Sequence, residues 1–129
     1  MYIGNFSLIT NVNPIEIYKW FMIVSIDSYE WVMVSNVMGM SQWALTNIKM
    51  MTRQYFSSSN YIIKMSNFKT DKWCQIWNSL YYKFINDNYD KLKKNYATAN
   101  MAKHWKNMND TEKNEMLSIA NKYLKYLHH

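Results

Sequence analysis

Gly4, Pro14 and Gly39 are the only residues in this 129-residue chain of the two types that most freely turn or break a backbone. With so few breakers, most of the chain is free to run in regular elements. Hydrophobic residues make up 49% of it and aromatics 17%, enough apolar surface to offset the entropy of ordering. The expected fold class is therefore all-α: a small, packed, helical protein of one domain or two very small ones.

Local signals place the helices. Asn13-Pro14-Ile15-Glu16 supplies an N-cap, a proline at the first helical position and a glutamate at the third, predicting a helix over about 14–26. Asp27-Ser28-Tyr29-Glu30 repeats the device and Gly39 closes the element, although "WVMVSNV" is β-branched enough for a strand over 31–37 to compete. Ser41 caps a third helix, with Leu45, Ile48, Thr52 and Tyr55 on one stripe. "SSSN" at 57–60 marks a break, and "YIIKMSNF" after it reads as extended. Thr70 or Asp71 then starts a helix carrying Trp73, Ile76, Trp77, Leu80 and Phe84 on one face. Thr98 or a neighbour starts a shorter one with Met101 and Trp105. Asn109 and Glu112 open a last one, with Met116, Ala120, Tyr123, Leu124 and Leu127 inward.

Charge divides the chain in two. Residues 1–63 balance Lys19, Lys49 and Arg53 against Glu16, Asp27 and Glu30, whereas residues 64–129 set twelve lysines against six carboxylates and so carry the whole net charge of +6. This pattern predicts an apolar, net-neutral helical region over 1–65, for packing or for binding a protein partner, and a basic domain over 66–129. It also points to a polyanionic partner, nucleic acid ahead of an anionic membrane. Fourteen lysines against one arginine, with abundant Asn, Tyr, Ile and Met, is also the imprint of AT-rich coding. Lysine abundance alone is correspondingly less informative.

Several function classes find no support. The apolar run "WFMIVSI" at 20–26 is far shorter than the roughly 20 residues of a membrane span, and the first residues lack a signal peptide's basic and apolar regions. Cys74 is the one cysteine, so no disulfide framework or zinc spacing arises; His104 stands alone, and His128-His129 is a terminal pair. No Gly-rich phosphate loop exists. The expectation is a protein without catalytic residues, metal or cofactor.

The stretch from Trp105, "WKNMNDTEKNEMLSIA", resembles the junction between the second and third helices of the HMG box. Trp105 matches the family's core tryptophan, Asn109 and Glu112-Lys113 its capped turn, and Met116-Leu117 and Ala120 the packing positions of its third helix. The resemblance implies an L-shaped three-helix module over about 66–127. It also implies an architectural, DNA-bending or transcription-regulating role in the nucleus, through minor-groove and phosphate contacts. Lys72, Lys83, Lys91, Lys93, Lys94, Lys103 and Lys106 are then the candidates for phosphate neutralisation, and Asn78 for a base or sugar edge. The scarcity of arginine argues for deformable AT-rich DNA over guanine reading.

Two registers compete at the first helix of the resemblance. Without gaps, Trp77 takes the family's helix-one aromatic and Cys74-Gln75 falls where an apolar wedge belongs. A match through Asn78-Ser79-Leu80-Tyr81 makes Leu80 or Tyr81 the wedge instead. A weaker resemblance links "MAKHWKNM" to a homeodomain recognition helix, which would make the chain a helix-turn-helix regulator. The alternative from another class is a helical interaction protein, adaptor or viral accessory, with no role on DNA.

Overall fold

The computed structural model describes residues 2–24 and 56–128. These form an all-α fold. The chain divides into two compact units, Met1–Phe56 and Ser57–His129, so residues 57–65 belong with the basic unit rather than with the neutral region. The expected elements over 27–39 and 41–55 lie outside the described residues.

In the first unit, α1 (Tyr2–Ile9) runs into α2 (Pro14–Val24) through a tight corner. The Val12 N–H donates to the Ser7 carbonyl at 2.9 Å and the Asn11 N–H to the Leu8 carbonyl at 3.1 Å, with Asn11 at φ 60°. This paired closure needs a left-handed residue, and asparagine is the non-glycine type that tolerates one best. Helix α2 begins where the sequence predicts, at Pro14, with Asn13 Oδ1 accepting the Ile15 N–H at 2.9 Å. None of its residues is buried, and Ile23 is 82% exposed.

The second unit opens with α3 (Ser59–Met65), where the sequence reads as extended. The helix here has a non-local cause. The first N–H of α3, on Ser59, is taken by the Asn78 side chain from the next helix at 2.9 Å, and Trp77 Nε1–H donates to the Ser57 carbonyl at 2.9 Å. Two side chains from α4 (Lys72–Asp87) thus fix the start of α3, and Ile62 is buried there. Helix α4 begins after Asp71, as expected, with the Asp71 carboxylate accepting the Lys72 N–H at 2.6 Å.

Leu80 and Phe84 of the predicted stripe are buried, but the buried face also takes Cys74, Tyr81 and Ile85, while Trp73, Ile76 and Trp77 are half-buried. A short helix α5 (Tyr89–Lys94) follows that the sequence does not announce, tethered inward by Leu92. Next come α6 (Ala99–Asn107) and α7 (Asp110–Leu127). Helix α4 is the centre of the unit: α7 packs most extensively on it, α6 and α5 also contact it, and α5 pairs with α6. Thr98 does not cap α6 with its side chain. Its buried hydroxyl reaches back to the Leu92 carbonyl at 2.7 Å, joining α5 to the start of α6.

Candidate nucleic-acid interface

Helix α6 buries Ala102 and Trp105, three residues apart, which turns Lys103 and Lys106 out together along a neighbouring stripe. Helix α5 buries only Leu92, leaving Lys91, Lys93 and Lys94 exposed around it. Because α5 and α6 pack on each other, these five lysines share one small body of structure. No Asp or Glu occurs from Lys91 to Asn109.

Exposure is general among the basic residues of this unit. Of the twelve lysines after residue 63, all but Lys83 and Lys113 are exposed. Those two are half-buried and ion-paired, Lys83 to Asp87 at 2.9 Å and Lys113 to Asp110 at 3.4 Å. Among the described residues, the only other ion pair is Lys19–Glu16 in the first unit. Lys72, Lys91, Lys93, Lys94, Lys103 and Lys106 therefore offer exposed ammonium groups, and Lys83 offers one already matched by a carboxylate. Exposed Lys64 and Lys69 were not among the sequence candidates. The interleaving of lysine and aromatic residues over 64–73 is the signal that marks them.

Trp105 anchors the lysine-bearing helix. Only 5% exposed, its ring stacks on Tyr82 of α4 at 5.6 Å between centroids and 21° between planes, and its Nε1–H donates to Asn86 Oδ1 at 3.3 Å. Lys113 of α7 sits 5.8 Å from the same ring's centroid and donates to the Lys106 carbonyl at 3.1 Å. One indole thus touches α4 and α7 while belonging to α6. The exposed His104 ring lies 6.2 Å from Tyr82. Burial first, and the Glu112 carboxylate second, raise the Tyr82 phenol above its ordinary pKa, so it stays a neutral donor. Met116 is half-buried and Ala120 fully buried in α7, and Trp77 holds the start of α3.

The remaining candidates are engaged inside the unit. The Asn78 oxygen is occupied by the Ser59 N–H. Leu80 is completely buried and Tyr81 only 8% exposed, so in this conformation neither presents an apolar surface to a base step. The Cys74 thiol is free and buried. Among the described residues, no three His, Cys, Asp or Glu side chains gather to hold a metal ion, and no helix is long and apolar enough to cross a membrane.

No family model matches the sequence. It is 47% identical over 94 residues to the uncharacterized protein R855 of Acanthamoeba polyphaga mimivirus, an alignment covering 72% of this chain and 76% of the viral protein. It is also 33% identical over 138 aligned positions to a (6-4) photolyase of Agrobacterium fabrum, covering 98% of this chain. The chain spans only 27% of that photolyase's length.

Proposed function

The chain belongs to the family of the mimivirus protein R855, and from that premise we propose that its second unit is a DNA-binding module that docks through phosphate contacts. The observation that carries the reading is the cluster of Lys91, Lys93, Lys94, Lys103 and Lys106 on two mutually packed helices, in a stretch without a carboxylate. Backbone neutralisation by such lysines supplies most sequence-independent affinity for duplex DNA. The likeness of nearly the whole chain to a stretch of a photolyase lends support.

The finer form of the proposal is an HMG-box-like architectural factor or transcription regulator, acting in the nucleus or wherever the DNA lies and favouring deformable AT-rich duplex. It rests on the resemblance of residues 105–120, with Trp105 as the elbow. The module needs no cofactor for this role and performs no catalysis of its own.

The test is binding of the full chain to a labelled AT-rich duplex over a salt series. Five phosphate contacts give a slope of log affinity on log salt of roughly −4.5. Replacing Lys103 and Lys106 by glutamine should flatten that slope by about 2 units. Absence of binding at low salt would overturn the proposal, and a bending assay separates an architectural factor from a simple groove binder.

A second reading is favoured by α2, whose Ile15, Trp20, Ile23 and Val24 side chains are exposed. On it, the first unit, rather than the whole of residues 1–65, engages a protein partner. Ile23→Lys distinguishes the two roles, since it should leave DNA affinity unchanged while removing an apolar contact from α2.

A further inference from the structure

Phe68, in the connection between α3 and α4, is 64% exposed, yet it is held by two contacts. Its N–H donates to Ser66 Oγ at 3.3 Å, and the Ser66 hydroxyl donates to the Ile62 carbonyl in α3 at 2.5 Å. Its ring meets that of Trp73 edge-on, with centroids 6.3 Å apart and planes at 66°. Trp73 is fixed in turn by its Nε1–H, which donates to the Lys69 carbonyl at 3.1 Å. The connection is thus closed by its own side chains and backbone, with one aromatic ring turned outward.

An exposed phenylalanine gains little from burial, so its fixed position calls for another use. The charges around it say which. Lys64, Lys69 and Lys72 are all exposed within four residues on either side of Phe68, and Asp71, engaged with the Lys72 N–H, is the one carboxylate in that stretch. Exposed lysines on both sides of an outward aromatic along the chain match the two demands of an unpaired nucleic-acid strand: phosphates to neutralise and a base face to cover.

We propose that Phe68, backed by Trp73, is a stacking platform for an unstacked base of a nucleic-acid strand whose flanking phosphates are taken by Lys64, Lys69 and Lys72. This deepens the DNA-binding reading and rests on it. It also supplies an exposed apolar group for opening a base step, a role for which Leu80 and Tyr81 have no free surface. A membrane is the poorer occupant. Interfacial binding uses the whole apolar face of a helix, whereas here two side chains, Met65 and Phe68, are the large apolar groups exposed beside the lysines. The fixed edge-to-face pair also favours a ligand that is itself flat. Ordering the ring before binding lowers the entropy lost on contact.

The experiment uses the full chain with a single-stranded oligonucleotide carrying one 2-aminopurine, the same strand in a blunt duplex, and phosphatidylserine-containing vesicles. The wild type should quench 2-aminopurine in the single strand. Phe68→Ala should weaken single-strand binding about 5- to 150-fold, the range for losing one stacked base, and abolish quenching, with the salt slope and melting temperature unchanged. Phe68→Trp should retain both signals, and Phe68→Leu should lose the quenching. Replacing Lys69 and Lys72 by glutamine should lower the single-strand salt slope by about 1.4.

Wild-type affinity and quenching in Phe68→Ala, or full activity in Phe68→Leu, would overturn the stacking role while leaving salt-dependent duplex binding, and so the wider proposal, intact. Failure of every oligonucleotide to bind would overturn both. Phe68-dependent binding to vesicles without quenching on DNA would assign the patch to a membrane and overturn the proposal as stated.

Discussion

Replacing Trp105 by alanine tests the centre of the second unit most directly. The indole is almost fully buried, stacks on Tyr82, donates to Asn86 and lies under Lys113. Truncating a buried tryptophan costs about 3–5 kcal/mol. A unit of about 70 residues has roughly 4–10 kcal/mol to lose. Each kcal/mol moves the melting temperature of a domain this size by about 4–8 °C, so Trp105→Ala should lower it by at least about 12 °C, or leave the unit unfolded at room temperature.

Trp105→Phe separates the contributions to that loss. It keeps a ring against Tyr82 but removes the 3.3 Å hydrogen bond to the exposed Asn86 and part of the buried ring surface, including some of that under Lys113. The hydrogen bond accounts for a net cost of about 1 kcal/mol, which Asn86→Ala should show, and Trp105→Phe should fall between that variant and Trp105→Ala. The assay is thermal unfolding followed by far-ultraviolet circular dichroism. A fall of less than about 5 °C for Trp105→Ala, or equal falls for the phenylalanine and alanine variants, would refute the assignment of the ring stack as the joint between α4 and α6.

Thr98→Val removes the buried hydroxyl that reaches the Leu92 carbonyl at 2.7 Å. Because the Asn95 N–H also donates to that oxygen, at 3.3 Å, the acceptor is not orphaned. A loss of about 1 kcal/mol in urea denaturation is therefore expected. Tyr81, whose phenol is pushed up to about 12 by burial first and by Tyr82 second, should make stability fall with pH. The unfolded chain releases the proton near pH 10 and the folded one only near 12. The stability that Tyr81 contributes is complete below pH 10, declines through 12, and amounts to about 2–3 kcal/mol. Urea midpoints at pH 9 and pH 11 should converge for Tyr81→Phe relative to wild type.

Helix starts at Pro14 and Lys72 were legible because Asn13 and Asp71 cap them within a turn of the chain itself; Ala99 and Asp110 start where the sequence places them, although neither Thr98 nor Asn109 caps its helix with its side chain. Helix α3 was not legible. Ile62 and Ile63 favour a strand locally, and the group that satisfies the N–H of Ser59 stands nineteen residues away on Asn78. Helix α5 was hidden for a related reason: one buried residue, Leu92, makes no periodic stripe, and the helix depends on its packing against α6. In the candidate interface, lysine charge could be read directly but its availability could not. Nothing local distinguishes Lys83, held by Asp87, from Lys91. Likewise, the apolar pattern that suggested Leu80 as a wedge is equally the pattern of a core, and only the packing of α7 on α4 decides between them. Phe68 is not legible in the sequence because a lone aromatic outside any stripe carries no periodic signal, and its fixed position comes from Ser66 and Trp73 acting together.

The lysines of α5 and α6 also make a prediction about salt in which stability and binding move in opposite directions. Lys91 with Lys94 and Lys103 with Lys106 are like-charged pairs three residues apart on helices; α6 holds no carboxylate to offset its pair, whereas in α5 Asp90 stands four residues before Lys94. Each such pair opposes folding by about 0.2–0.5 kcal/mol when unscreened. The fold therefore tolerates these charges rather than using them, with the burial of Leu92, Thr98, Ala102 and Trp105 holding the two helices together against the repulsion. Raising the ionic strength from about 20 to 200 mM shortens the screening length to below roughly 10 Å, and the melting temperature of the free protein should rise by a few degrees, about 4 °C. Over the same range, affinity for duplex DNA should fall steeply. If the melting temperature instead falls with salt, these lysines are stabilising the fold through attractions, and their clustering ceases to be evidence for a polyanionic partner.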